Sequence, residues 1–186
     1  MKTYGSILSL LAILALSFLL ISQTGCKKDE DETTSLKVGL KATTTSRATY
    51  DALLIDIQEA SIHTSTNPDV EGGWFPLPTE AGIYNLLLYQ NGQAIIALDP
   101  LLEPQTVSQI RLLLGDENSI VVNGESFPLE TPSAQTSGLK ITLGEQLEAG
   151  VSYLVVLDFD VDKSIVETGN GGYKLSPVIK ASLVQL

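Results

Sequence analysis

Asp158, Asp160 and Asp162 stand two residues apart in the run Asp158-Phe159-Asp160-Val161-Asp162. That spacing puts all three carboxylates on one face of a β-strand, with neighbours about 6.6–6.8 Å apart. Like charges so placed repel and want cations. Calcium is one candidate, since it takes roughly six to eight oxygen ligands. The other reading is structural, with the carboxylates at a strand end satisfied by Lys163, Ser164, Arg111 or turn N–H groups. An EF-hand starting at Asp158 fails: Lys163 stands at the position that needs Gly, and Gly169 at the position that needs Glu.

His63 is the only histidine and Cys26 the only cysteine. Zinc sites of the usual His/Cys kind are therefore excluded. A Ser-His-Asp triad would have to use His63, and there is no G-x-S-x-G elbow. His63 reads as a surface histidine at a strand end. Two carboxylates would suffice for glycosidase chemistry, but nothing singles out a pair. The chain also lacks a G-x-G-x-x-G or phosphate loop. It is read as non-catalytic, with no cofactor unless calcium binds the aspartates.

Trp74, Phe75 and Tyr89, with Tyr84 and Tyr50, are the candidates for ligand binding, because rings stack on sugars or on partner side chains. The alternative is that they fill the core. Trp74 follows Gly72-Gly73 and precedes Pro76, which suggests a place near a loop.

Cys26 carries a different chemistry. Lys2 precedes an apolar stretch from Ile7 to Ile21, which ends in Ser22-Gln23-Thr24-Gly25-Cys26. The apolar stretch is shorter than the roughly 20 residues of a membrane-spanning helix and suits a secretory signal. The junction resembles a lipobox, with Gln23 where an aliphatic residue is commonest. Cleavage before Cys26 would leave it as the N-terminal residue, carrying diacylglycerol in thioether linkage and an N-acyl chain such as palmitate. Two or more chains give stable anchoring, where one binds only marginally. Lys27-Lys28-Asp29-Glu30-Asp31-Glu32 resembles the lysine-plus-acidic signal that directs some lipoproteins to the exterior face of the outer membrane. A solvated spacer in a periplasm-facing protein is the alternative.

These residues have to be positioned by the elements around them. The expected organisation is a lipoprotein signal peptide over residues 1–25, an acidic tether over 26–35 and one domain over 36–186. Apolar residues alternate with polar ones, broken by Gly, Pro, Asn and Asp, which is the rhythm of an antiparallel sandwich or barrel. Leu36, Val38 and Leu40 form one face of the first strand. Leu53, Ile55 and Ile57 form a face that shifts parity to Ala60 and Ile62, so a β-bulge belongs near Gln58-Glu59. A helix over Tyr50 to Ser61 is the competing reading.

Further strands are expected at Trp74–Leu77, Ile83–Tyr89, Ala94–Leu98 and Gln109–Leu114. Ser119–Val122 and Glu125–Leu129 make a hairpin on Asn123-Gly124, whose residues suit a type I′ turn. The remaining strands are Gly138–Leu143, Val151–Val161 and Tyr173–Leu183, with Pro177 at an edge or a bulge. The expected fold is thus an all-β antiparallel sandwich of eight or nine strands, with little helix and no internal repeat.

The net charge is −11, from 22 acidic and 11 basic side chains. That excludes nucleic acid as a partner, since phosphates need a basic surface. Membrane contact should come from the acyl chains alone. With one cysteine the fold must stand without a disulfide.

Asp158-Phe159-Asp160, Lys163-Ser164-Ile165-Val166, Gly169 with Gly171, and Tyr173-Lys174-Leu175-Ser176-Pro177-Val178-Ile179 form one composite pattern. With Gln109-Ile110-Arg111-Leu112, Ser137-Gly138-Leu139-Lys140, Tyr84 to Leu88 and Asn91-Gly92, it resembles an uncharacterised family of secreted bacterial lipoproteins, a domain of unknown function. The family often has an Asp-Ala-Pro turn after its first strand, where this chain reads Thr43-Thr44-Thr45-Ser46-Arg47-Ala48. The resemblance implies an immunoglobulin-like or transthyretin-like sandwich and brings no reaction with it.

The leading expectation is an outer-membrane-anchored module that binds or presents a glycan or protein partner. The alternative is a pilus-like subunit matured by cleavage at Arg47, where loss of the first strand would open a groove for a donor strand. A carboxylate-dependent hydrolase comes third.

Overall fold

The computed structural model describes residues 33–45, 50–65, 72–103, 105–131 and 136–186. Cys26, the signal segment, the charged run after it and Arg47 lie outside the described residues.

The described chain is built almost entirely of strands. In order they are β1 (Thr34–Thr43), β2 (Ala52–His63), β3 (Trp74–Pro76), β4 (Gly82–Asn85), β5 (Ala94–Leu102), β6 (Thr106–Leu114) and β7 (Ser119–Val122). There follow β8 (Glu125–Glu130), β9 (Leu139–Gln146), β10 (Ser152–Asp160), β11 (Ile165–Glu167), β12 (Tyr173–Leu175) and β13 (Ile179–Gln185), with one α-helical turn, α1 (Val161–Ser164), between β10 and β11. A four-stranded sheet has the order β13-β10-β1-β5. A nine-stranded sheet has the order β11-β12-β8-β7-β2-β6-β9, with β3 and β4 also paired to β2.

One apolar cluster joins the two sheets, so the expected all-β sandwich is what the sequence forms. Leu36, Val38, Leu40, Val155, Leu157 and Phe159 come from the smaller sheet. Leu53, Ile55, Ile57, Ala60, Ile62, Ile110 and Leu112 come from the larger one. Burial of each such side chain contributes about 1.5–3 kcal/mol.

Local expectations hold where local physics decides. The register of β2 against β6 slips between Ile57 and Glu59, so the bulge lies where the apolar parity changes. The competing helix over this stretch is absent. Asn123 (φ 52°) and Gly124 (φ 80°) turn the β7–β8 hairpin, with both residues in the left-handed region as a type I′ turn requires.

Long-range pairing departs from expectation. Two pairs are parallel, β1 with β10 and β8 with β12, so the sheets are mixed rather than purely antiparallel. The described residues form thirteen strands, more than the eight or nine expected; the last expected strand is divided in two, and Ile165–Glu167 is a strand that was not expected. The run from Ile83 to Tyr89 becomes β4 plus a 3-10 turn, since Asn85 Oδ1 accepts from Leu87 N at 3.2 Å and turns the chain. The last strand divides into β12 and β13 around Pro177. β1 begins at Thr34, two residues before the expected start.

Candidate functional site

The three aspartates part company at the end of β10. Asp158 and Asp160 share the outward face of the strand, as their spacing requires. Asp158 meets Lys41 of β1 at 3.6 Å and accepts a hydrogen bond from Thr43 Oγ1 at 3.0 Å. Asp160 caps α1, accepting from Lys163 N at 3.2 Å and pairing with Lys163 Nζ. That side-chain hydrogen bond from Lys163 holds the Asp160 carboxyl below the usual range.

Ser164 Oγ donates to the Asp160 carbonyl at 2.6 Å, closing the helical turn. The turn carries Asp162 off the strand face, so the expected shared face of three carboxylates holds for two. Asp162 instead accepts from Thr44 Oγ1 at 2.9 Å, Thr45 N at 2.7 Å and Thr45 Oγ1 at 2.8 Å. Among the described residues no group of three or more His, Cys, Asp or Glu side chains is placed to hold a metal ion. Each aspartate has its own protein donors: Lys163 on Asp160 is among those expected, while Lys41, Thr43, Thr44 and Thr45 serve Asp158 and Asp162 in place of Ser164 and Arg111.

The aromatic candidates do not form one surface. β3 pairs with the C-terminal end of β2, where Trp74 faces His63, while β4 pairs at Leu54 to Ile57. Leu54 and His63 are roughly 30 Å apart along an extended strand, and Tyr89 lies in the 3-10 turn that follows β4. Phe75 points to the opposite side of β3 from Trp74 and is 52% exposed. Beyond Tyr89, residues Gln90 to Gln93 overhang the outer face of the smaller sheet. With Lys41, Val156, Asp158 and Ser182 they line a depression of about 440 Å³.

Around Trp74 the structure assembles a group that sequence order hides. The bulge at Gln58 turns Glu59, Ser61 and His63 to the outer face of the larger sheet. On β6, Arg111 pairs with Ser61 and Gln109 with His63; on β9, Lys140 pairs with Arg111. Trp74 reaches across this row. Its ring lies 4.8 Å from that of His63, edge to face. The Arg111 guanidinium is 4.6 Å and the Lys140 ammonium 5.8 Å from its centroid, both within cation–π range.

His63 does end a strand, but it is fully buried rather than at the surface, covered by Trp74 and the chain at Gly72-Gly73. Its Nε2 lies 3.1 Å from the Gly72 carbonyl, an acceptor only, so that nitrogen carries a proton. Its Nδ1 lies 2.9 Å from Ser108 Oγ. The ring is a structural support under the indole.

Arg111, Lys140 and Gly138 were not among the candidate site residues. They lie in the segments Gln109-Ile110-Arg111-Leu112 and Ser137-Gly138-Leu139-Lys140, which the fold brings side by side. Period-two alternation could have assigned Arg111 and Lys140 to an outward face. It could not have put them on the same sheet next to Trp74.

A family model described as "Domain of unknown function (DUF4382)" matches residues 33–177. No curated protein matches the chain. A crystal structure of a "putative cell adhesion protein" from Bacteroides uniformis is similar at 14% identity and a TM-score of 0.23. The similarity covers 83% of this chain and 50% of that one, so this chain spans about half the length of its structural neighbour.

Proposed function

Since the chain belongs to the DUF4382 family, whose description assigns no reaction, we propose from its own residues that it is a non-catalytic, lipid-anchored binding module. Cys26 carries the acyl chains at the outer membrane, the acidic run after it spaces the domain from the bilayer, and the domain faces the cell exterior. The partner is a glycan or a surface protein. The observation that carries this reading is the half-buried Trp74 ring on an outward sheet face, with Arg111 and Lys140 standing over it. An aromatic ring on an outward face with cations beside it has the groups to contact a partner's ring or apolar surface and to pair with its charge.

Supporting the non-catalytic part, the groups first considered for chemistry are committed to structure. Asp160 caps a helical turn, Asp162 holds the segment after β1, and His63 is sealed beneath Trp74.

The test uses intact cells. Protease shaving is expected to release peptides of the domain, and Cys26→Ala is expected to move the protein from the membrane to the soluble fraction. Protection of the domain until the outer membrane is permeabilised would overturn the outward face. Unchanged membrane retention of Cys26→Ala would overturn the anchor. A glycan array and an outer-membrane pull-down that both came back empty would remove the binding role.

A second reading, the pilus-like subunit, draws on the position of β1. The strand lies inside the smaller sheet, parallel to β10 on one side and antiparallel to β5 on the other. Cleavage at Arg47 would free it and leave a slot with two unpaired edges, which a donor strand from another copy would fill.

A further inference from the structure

Four strands end the two sheets, β5 and β13 in the smaller and β9 and β11 in the larger. Three of those edges are blunted. β5 is covered by the chain at Pro78 to Glu80: Leu98 N donates to the Pro78 carbonyl at 3.1 Å, and Glu80 N to the Ile96 carbonyl at 2.8 Å. β11 has only three residues. β9 is bent by a bulge, where its register slips opposite Val107 and Gln109, next to Gly144 (φ 75°).

β13 is the regular edge. Its register with β10 is unbroken from Gln185 opposite Tyr153 to Ile179 opposite Phe159, and no strand lies on its other side. At its two ends Asp160 N donates to the Val178 carbonyl and Leu186 N to the Ser152 carbonyl, both at 2.9 Å. The even-numbered residues of the strand therefore bond to β10. Ile179, Ala181, Leu183 and Gln185 turn their N–H and C=O groups to the open side. Such a row is a template for an added strand.

The surroundings of this edge select what can be added. A cleft of about 510 Å³ opens between β13 and β9. Leu139 and Ile141 on one wall, with Ile179 and Ala181 on the other, are its apolar lining and belong to the core or pack against it. Exposed Lys140 and Lys180 line the same cleft, and no acidic side chain does among the described residues. Lys180 stands opposite Asp158 in the β10 register, but that carboxylate is taken by Lys41 at 3.6 Å and Thr43 Oγ1 at 3.0 Å. Neither Lys140 nor Lys180 makes an ion pair among the described residues.

β9 and β13 come within 8 Å of each other, less than the two spacings of about 4.8 Å that a strand bonded to both would need. A guest strand therefore bonds to β13, and β9 is the wall its side chains meet. Edge lysines oppose some guests and suit others. A second copy adding its own β13 would bring the same lysine and another net charge of −11. An acidic strand brings carboxylates to Lys180 and Lys140, and its alternate apolar residues meet Leu139 and Ile141.

We propose that β13 is a docking edge for an extended segment of a partner protein in which acidic and apolar residues alternate. The inference rests on the binding-module reading and chooses a protein partner for it. Unlike the pilus-like slot, this edge is open while β1 stays in place.

The test uses the full chain purified in detergent and fluorescein-labelled peptides of about ten residues, in which valine alternates with glutamate, glutamine or lysine. By fluorescence anisotropy the glutamate peptide is expected to bind about tenfold or more tighter than the glutamine one, less so as salt rises. The lysine peptide should bind more weakly than either, and Lys180→Glu should reverse the order. Bound glutamate peptide should slow hydrogen exchange at the amides of Ile179, Ala181 and Leu183.

Ala181→Pro removes an outward N–H and no bond to β10, so it should keep the parent's thermal melt and weaken binding about tenfold or more. N-methylation tests the edge without altering the protein. Methylating one alternate set of peptide amides should abolish binding, and methylating the other set should spare it. Binding indifferent to both methylations, or no slowed exchange in β13, overturns the edge. Equal affinity for the three peptides overturns the acidic preference. Self-association that Ala181→Pro abolishes, with no peptide bound, makes a second copy the occupant and overturns the acidic partner. If no peptide binds while the glycan array or the pull-down yields a ligand that Ala181→Pro still holds, this inference falls and the module reading stands. An empty array, pull-down and peptide set remove both.

Discussion

Asp160 illustrates how a residue that suggests chemistry can be consumed by its own turn. It sits at the N-cap of α1, takes the Lys163 amide and ammonium, and has its carboxyl held low by that hydrogen bond. A carboxyl whose folded pKa is depressed adds stability above the unfolded pKa of about 3.9, and loses it as pH falls through the folded value. Asp160→Asn should therefore be less stable than the parent near neutrality, with the difference shrinking below about pH 4. Urea midpoints across that range check it; a difference that stays constant down to acid would mean the ionised carboxylate adds nothing. His63 makes the same point from the other side. A lone histidine at a strand end looks accessible in sequence, yet an aromatic ring from another strand closes over it.

At the scale of elements, the bulge in β2 decides what the larger sheet presents. Without the extra residue at Gln58, every side chain beyond it would change faces, and Glu59, Ser61 and His63 would point into the core. The bulge is buttressed where Gly115 follows β6. Gly115 N donates to the Asp56 carbonyl at 2.9 Å, and a Cβ on Gly115 would fall 1.9 Å from Asp56 Oδ2. Asp56 is only 4% exposed and is held by Gln58 Nε2 at 2.5 Å, so it has little room to retreat. Gly115→Ala is expected to cost about 2–3 kcal/mol through this overpacking. Denaturant unfolding measures it, and a loss below about 0.5 kcal/mol would show that the Asp56 turn is free to move.

For the whole molecule, the decisive strand is the first. β1 joins β10 to β5, and its Leu36, Val38, Leu40 and Ala42 are fully buried in the shared core. A chain that starts after Arg47 loses those side chains, each worth about 1.5–3 kcal/mol except the small Ala42, and exposes two sheet edges. It should fail to reach the native near-ultraviolet signal alone and recover it when a peptide of residues 33–45 is added. Native stability without the peptide would remove β1 as the keystone, and the pilus-like reading with it. That reading also requires Arg47→Ala cells to lack polymer.

What the sequence determined by itself is the set of relations carried by neighbours along the chain. Alternation at period two identified the strands and their faces, the change of parity located the bulge, and Asn123-Gly124 turned its hairpin. Each follows from backbone geometry over a few residues, so no distant partner was needed. Tertiary structure decided which strands lie side by side, because that choice is made by burial across the whole core. Arg111 and Lys140 meet over Trp74 only because β3, β2, β6 and β9 lie in that order, and no local pattern encodes the order. Asp162 fell between the two cases: a local cap at Asp160 turned it off the strand, and distant Thr44 and Thr45 took it up.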